Sequence, residues 1–367
     1  MFWLGGLGRV DFRLRLQSDF RSQDVPLADG AFFWAMRRIG FGGQLKGGFD
    51  FEITREIDLP NPWRDVFLNF RRFPAASVQA GKFKMPFGLD QLTGATTNDF
   101  VFRSRIGDQL SPGRDRGVML HGRLASRRLG YQVGVFEHDG GNARSTDSTR
   151  AVAGATLAWR VVTQPWLLQK NSVFSTVQFG VNATDSDVDG GDLGLRGRTT
   201  ARAVFFAPRL PIHGYQRRAG ADIQWKPGPF SLQTEWVRAA MERRGVLAGG
   251  GDAEPIVATG WYVSGTWLLT GGKKAAGGDA PPHAAFTDGI GAIEIAGRVE
   301  ALEFESGTAG TPGNAVHVLT AGATWYVNRW VKTQFNIAHE SLDDPLQGPL
   351  PSHDEFWTRV VRLQFRF

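Results

Sequence analysis

The chain closes on Glu355-Phe356-Trp357-Thr358-Arg359-Val360-Val361-Arg362-Leu363-Gln364-Phe365-Arg366-Phe367. In an extended segment side chains alternate with period two. Trp357, Val361, Leu363, Phe365 and Phe367 therefore share one face, and Thr358, Arg362, Gln364 and Arg366 share the other. One face is apolar and the other is wet and cationic. A soluble protein buries such an apolar face, whereas a transmembrane barrel points it at lipid.

The same alternation recurs upstream. Val10, Phe12, Leu14 and Leu16 oppose Asp11, Arg13 and Arg15; Phe49, Phe51 and Ile53 oppose Asp50, Glu52 and Thr54; Val66, Leu68 and Phe70 oppose Asp65, Asn69 and Arg71. Val118 and Leu120, Val173 to Val181, Phe230 to Trp236, and Val331 to Ile337 continue the pattern. Strands near ten residues suit a tilted bilayer crossing. Helical periodicity is not evident, and no run approaches the ~18 apolar residues of a membrane helix. A terminal strand ending on Phe resembles the C-terminal signature of bacterial outer-membrane barrels.

The connections sort by length. Short turns stand at Lys46-Gly47-Gly48, Ser126-Arg127-Arg128, Lys226-Pro227-Gly228 and Asn328-Arg329. Long ones stand near 20–30, 84–114, 138–149, 185–216, 242–255, 305–315 and 342–354. Counting every alternating segment gives seventeen strands, which puts the two termini on opposite sides. Assigning 196–209 to a long loop places every short turn on one side and leaves sixteen, the parity a bacterial barrel needs. The expectation is all-β: one transmembrane antiparallel β-barrel over residues 1–367, set in the bacterial outer membrane. On this reading 84–114 is the third loop and 185–216 the fifth.

Composition narrows the chemistry. The 367 residues include 47 Gly, 27 Phe, 12 Trp and no Cys, which removes disulfides and thiolate zinc sites. Net charge is +6, and eight of the 42 basic residues are lysine, leaving 34 arginines. Arginine is always charged, and its planar fork suits oxyanions. The start, Met1-Phe2-Trp3-Leu4-Gly5-Gly6, lacks the apolar core and cleavage site of a secretion signal, as in a mature or trimmed form.

Two arginine clusters are candidates for a pore lining. Residues 193–221 carry Arg196, Arg198, Arg202, Arg209, Arg217 and Arg218 with no Asp or Glu. Such a run repels itself unless it is solvated, as on a basic surface loop, or faces an anion. Around Arg37 and Arg38 the apolar phase changes, from even positions (Phe32, Trp34, Met36) to odd ones (Ile39, Phe41). A β-bulge there would turn both arginines into the lumen.

Gly81-Lys82-Phe83-Lys84-Met85-Pro86-Phe87-Gly88-Leu89 and Ser111-Pro112-Gly113-Arg114-Asp115-Arg116-Gly117-Val118-Met119-Leu120-His121-Gly122 resemble the phosphate-selective porin O/P family. So do the segments Tyr131 to Phe136, Gly228 to Glu235, and Leu269 to Gly272, in the family's order. The resemblance implies a sixteen-stranded homotrimeric porin with inward-folded third and fifth loops and an arginine ladder leading anions to a constriction. It places Arg37 and Arg38 at the constriction, Arg103 or Arg105 in the third loop, and Arg196, Arg198, Arg202, Arg217 and Arg218 on the ladder. Gln91, Gly94 and Ala95 stand where phosphate-selective members tend to carry lysine and serine. A carboxylate such as Asp90 or Asp99 would temper binding so that the ion leaves.

The expected function is passive diffusion of anions, phosphate or polyphosphate first among them, with the lipid bilayer as the other partner. No cofactor, metal or nucleic acid is expected. The alternatives are a general anion porin and a soluble β-rich carbohydrate-binding module. Asp185 to Asp192 resembles the start of a calcium loop but has Arg196 where the bidentate Glu belongs. Ser111, Asp115 and His121 have no triad spacing, and an enzyme is not expected.

Overall fold

The computed structural model describes residues 2–3, 5–24, 31–57, 62–141, 153–192, 195–200, 202–206, 209–274, 289–308, 311–347 and 353–367. Sixteen antiparallel strands form the wall: β1 Gly8–Gln23, β2 Phe32–Leu45, β3 Phe49–Glu56, β4 Trp63–Phe73, β5 Ala76–Lys84, β6 Arg114–Leu124, β7 Leu129–Phe136 and β8 Ala153–Thr163. They continue as β9 Gln178–Asp192, β10 Pro211–Trp225, β11 Phe230–Arg243, β12 Ala253–Leu268, β13 Ala292–Glu305, β14 Asn314–Tyr326, β15 Val331–Leu342 and β16 Glu355–Arg366. Each pairs with the next, and β16 pairs back onto β1, with Arg362 opposite Asp19 and Arg366 opposite Arg15. A closed ring leaves no edge, so every backbone group inside the lipid band finds a partner. Phe2–Trp3 folds back on the start of β1 as a two-residue extra strand.

Alternation decides which way each residue points. Leu319, Val361, Leu363 and Val118 are exposed on the outer face, while Gln364, Arg362, Thr358 and Gln334 are buried on the inner one. Aromatics mark the ends of the lipid-facing band: Trp267, Trp325 and Trp330 near the short turns, and Trp34, Trp63 and Trp357 near the long loops. Indole rings favour that interface.

The residues expected to alternate from Val173 begin with a 3-10 turn, Val173–Thr176, and the strand starts at Gln178. The strand β9 runs on to Asp192, and β10 begins at Pro211, so the fifth loop is shorter than 185–216 and spans 193–210. Asp185 sits in β9, with its carboxylate 3.0 Å from the Arg217 guanidinium on β10. The third loop, 85–113, carries two short helices that strand periodicity did not reveal: α1, Leu89–Leu92, and α2, Arg105–Gln109.

Loops 3 and 5 lie inside the barrel. Loop 3 crosses the lumen along the inner wall: Gln17 donates to the Ala95 carbonyl, Gln364 to Thr96, Gln334 to Asn98 and Arg362 to Val101. Glu235 accepts from the Leu89 and Asp90 N–H groups at 2.9 and 3.0 Å, satisfying donors that a helix start leaves open. Loop 5 forms a small hairpin, Gly197–Arg198 with Val204–Phe206. Its Phe206 stacks on Phe304 at 4.6 Å between centroids.

Between these polar anchors part of the inner wall beneath the loops is apolar. Phe87, Ile106, Leu110, Phe205 and Phe206 pack with Val237, Met241, Leu302, Val316 and Phe356 in one buried cluster. Each such side chain contributes about 1.5–3 kcal/mol by leaving water. Gly260 permits the contact: a Cβ there would lie 2.5 Å from the Ile106 side chain and 2.7 Å from the Ala301 carbonyl. The two loops thus occupy much of the lumen on the β11–β16 side. The open passage is displaced toward β1–β6.

Candidate functional site

That passage is a cavity of about 840 Å³. Its lining includes Arg13, Arg15, Arg38, Arg64, Arg103, Arg114, Arg202, Arg329 and Arg366, together with Lys84, against the carboxylates of Asp11 and Asp108. Among the described residues, ten cations face two acids in one water-accessible space. Loop 3 supplies the opposite side through Gln91 and the stretch Gly94 to Thr97.

Strand register explains the arrangement. Arg366 pairs with Arg15, Arg15 with Arg38, and Arg38 with Glu56, so three arginines on three neighbouring strands occupy one rung. Adjacent strands lie about 4.8 Å apart, and strands in such barrels tilt, so the rung climbs the wall obliquely. Like charges directly opposite one another are destabilising unless an anion or a carboxylate stands between them. Arg13 lies two residues along β1, within salt-bridge distance of Glu52. It reaches across β2 at Gly42, where a Cβ would sit 2.7 Å from its guanidinium carbon.

Two bulges aim the next arginines. In the β1–β2 ladder Gln17 faces Met36 and Ser18 faces Trp34, which leaves Ala35 as the extra residue. The phase change therefore falls before Met36 rather than across the arginine pair. Arg38 turns inward and lines the cavity, whereas Arg37 takes the outward parity of Ile39, with its guanidinium 5.6 Å from the Trp34 ring centre. A second irregularity, between Ile53 and Arg55 in the β3–β4 ladder, lies beside Arg64.

Of the loop arginines, Arg103 and Arg202 line the cavity. Arg103 donates to the carbonyls of Asp90 and Thr93, and burial pushes its pKa below the usual arginine range while Asp90 opposes the shift. Arg202 sits at the tip of the loop 5 hairpin with φ of 67°. A non-glycine residue in that region costs on the order of 1–3 kcal/mol, a strain that recurs at functional positions. Arg105 is buried between the loops, where it donates to the carbonyls of Arg198 and Arg103. Arg196 and Arg198 are half-buried in loop 5. For Arg198, burial followed by its neighbour Arg202 lowers the pKa.

On β10 the parity separates two expected ladder residues. Arg217 faces outward and pairs with Asp185 and Glu242. Arg218 faces inward but is fully buried, with its two terminal nitrogens on the two oxygens of Asp139, just after β7. Its charge is already satisfied. Lys84 lines the cavity as a charge only, because its ammonium donates to the carbonyls of Gln91, Leu92 and Thr93 at 2.5, 3.1 and 2.8 Å. An ammonium has three donors, and all three are used.

Arg13, Arg15, Arg64, Arg114, Arg329 and Arg366 join the lining although the clusters singled out in the sequence omit them. For Arg13, Arg15 and Arg366 a signal was present: each lies on the polar face of an alternating strand. Asp90 and Asp99 do not line this cavity; Asp90 accepts from Ser104, and Asp99 lies 2.6 Å from Lys274. Asp90 still reaches one lining arginine, Arg103, at 3.8 Å, and the other acids that pair with the lining arginines stand on the wall. Glu52 meets Arg13 and Arg15, Glu56 meets Arg38 and Arg64, and Asp65 meets Arg114 at 3.0 and 2.8 Å. Ser111, Asp115 and His121 have separate partners: Ser111 donates to the Ile106 carbonyl, Asp115 accepts from Arg116 and Gly140, and His121 contacts Asn69.

Several solved barrels share this architecture. The anion-selective porin from Comamonas acidovorans superposes with a TM-score of 0.62 at 11% identity, over 98% of this chain and all of that one. The outer-membrane channel DcaP of Acinetobacter baumannii gives 0.63 at 8% identity, over all of this chain and 99% of its own. OmpT of Vibrio cholerae in its trimer form gives 0.60 at 11%, over 98% and 100%. At these identities the likeness is one of fold. No curated protein matches the chain. The family model for phosphate-selective porin O and P matches residues 10–367, nearly the whole sequence, and the chain therefore belongs to this family of bacterial outer-membrane porins.

Proposed function

We propose that the protein is a passive channel for anions, with phosphate-type oxyanions as the principal cargo, and that the arginines lining the cavity carry the selectivity. The supporting observation is the lining itself, ten cations to two carboxylates in one open passage. Arg202 and Arg103 on the loops, the Arg38–Arg15–Arg366 rung, and Arg329 towards the short-turn end form sites in series. Each raises the local anion concentration and replaces part of the ion's hydration with charge-assisted hydrogen bonds. Several weak sites pass an ion onward better than one tight site.

A second reading, a general anion channel without phosphate preference, draws on Gln91, Gly94 and Ala95. All three line the passage and offer it no side-chain cation or hydroxyl. We infer a homotrimer as the assembled form. The support is the trimer form of the similar OmpT fold, together with an apolar groove on the outer wall lined by Val10, Leu45, Phe51, Ile53 and Leu68.

The test is the zero-current potential of the purified protein in planar bilayers under a potassium chloride gradient, followed by phosphate titration. A chloride-selective channel whose current phosphate blocks, with weaker block in Arg38→Ala and Arg202→Ala, supports the reading. Chloride selectivity without block leaves the general anion channel. A cation-selective pore overturns both.

A further inference from the structure

The carboxylate of Glu56 occupies an unusual position. Its Oε2 accepts from Arg38 Nε at 3.0 Å and Arg38 Nη2 at 2.9 Å, and Arg64 Nε lies 3.6 Å from the same oxygen. Its Oε1 accepts from the Arg37 backbone N–H at 2.7 Å. Glu56 and Arg38 are both buried against the wall. Two guanidiniums, each aimed by its own bulge, converge on a single carboxylate oxygen at the end of the Arg366–Arg15–Arg38 rung.

We propose that Glu56 is a tethered occupant of an oxyanion seat and thereby sets the pore's affinity for its cargo. Two arginines converging within 4 Å of one point form the geometry that receives a divalent tetrahedral oxyanion. Such an ion offers a separate oxygen to each guanidinium, whereas Glu56 makes both share one. The free ion is the better ligand, but the carboxylate is held at a high effective concentration by its own backbone. While Glu56 holds the seat, passing anions meet Arg38 and Arg64 partly neutralised and move on. Glu52 does the same for Arg13 and Arg15 at the neighbouring level, within salt-bridge distance of the first and 3.7 Å from the second. On this proposal β3 supplies a tempering carboxylate, in addition to Asp90 of the inward loop, which lies 3.8 Å from Arg103.

This inference rests on the anion-channel reading, and its test separates the two. Chloride current through single channels is measured while phosphate, and separately sulfate, is titrated in. The proteins are wild type, Glu56→Gln, Glu56→Gln with Arg64→Gln, and Glu303→Gln, which removes an exposed acid on the outer face. Expected is half-block at about a tenfold lower oxyanion concentration in Glu56→Gln, the scale of one freed charge-assisted hydrogen bond. The gain disappears in the double variant and is absent in Glu303→Gln. A wild-type channel that selects anions, with Glu56→Gln blocked no more tightly than wild type, overturns the inference and leaves the channel reading standing. A wild-type channel that does not select anions removes both. Should Glu56→Gln fail to assemble as a heat-modifiable barrel, Glu52→Gln carries the same test. It frees Arg13 and Arg15 in a more exposed setting, and unchanged block there overturns the inference equally.

Discussion

Arg218 and Arg202 carry the same group in opposite surroundings. Arg218 has no exposed surface and is paired to Asp139, which also accepts from Ser186 and Gln216. Removing one partner of such a buried pair leaves the other charge uncompensated and costs about 3–5 kcal/mol. Arg218→Ala is therefore expected to lower the urea midpoint of barrel unfolding markedly and to leave anion selectivity near that of wild type. Arg202 is exposed to the passage at the tip of loop 5. Arg202→Ala is expected to reverse this pattern, with stability within about 0.5 kcal/mol of wild type, as for surface changes, and a lower chloride-to-potassium permeability ratio. If both variants lose selectivity equally, Arg218 contributes to the field of the pore despite its pairing. The sequence presents these residues alike, because the run from 193 to 221 holds no acid. The neutralising Asp139 comes from another loop, and no local pattern announces it.

At the scale of elements, what was legible depended on period two. The polar-face residues Gln334, Arg362 and Gln364 point inward as alternation requires, and the ring closes through the terminal strand that alternates most clearly. Alternation gave the Arg37–Arg38 phase change but misplaced the bulge by two residues, since a single extra residue shifts parity without marking its own position. On β14 both faces are apolar in part: Val316 and Val318 point inward under the loops while Leu319 faces out. There the signal weakens because loop 5 replaces water as the inner neighbour. That seating makes loop 5 testable as a unit. Replacing 195–206 with a short Gly-Ser linker removes Arg196, Arg198 and Arg202 together with the Phe205 and Phe206 plug. Single-channel conductance is expected to rise, because the passage widens toward β13–β15, and the chloride preference is expected to fall. An unchanged conductance would mean that the narrowest section lies wholly between loop 3 and the β1–β6 wall.

The whole molecule is an asymmetric tube. Two loops occupy much of one half of its lumen, on a seat part apolar and part polar, and the other half is a basic passage in which Glu52, Glu56 and Asp65 of the wall pair with lining arginines. Selectivity in such a passage is electrostatic before it is steric, and the two origins respond differently to salt. The Debye length is about 30 Å at 0.01 M and about 3 Å at 1 M. At the low end the fields of all ten lining cations overlap along the passage. At the high end an ion feels only the arginine beside it. The permeability ratio of chloride to potassium, measured across a constant concentration ratio, is therefore expected to fall steadily as the mean salt concentration rises. A ratio that stays level would place discrimination in direct contacts with individual guanidiniums, which mobile ions screen little. In that case Arg38→Ala alone would lower the ratio as much at 1 M as at 0.01 M. If the field of the whole lining governs, the same substitution removes one cation of ten and shifts the low-salt ratio only modestly.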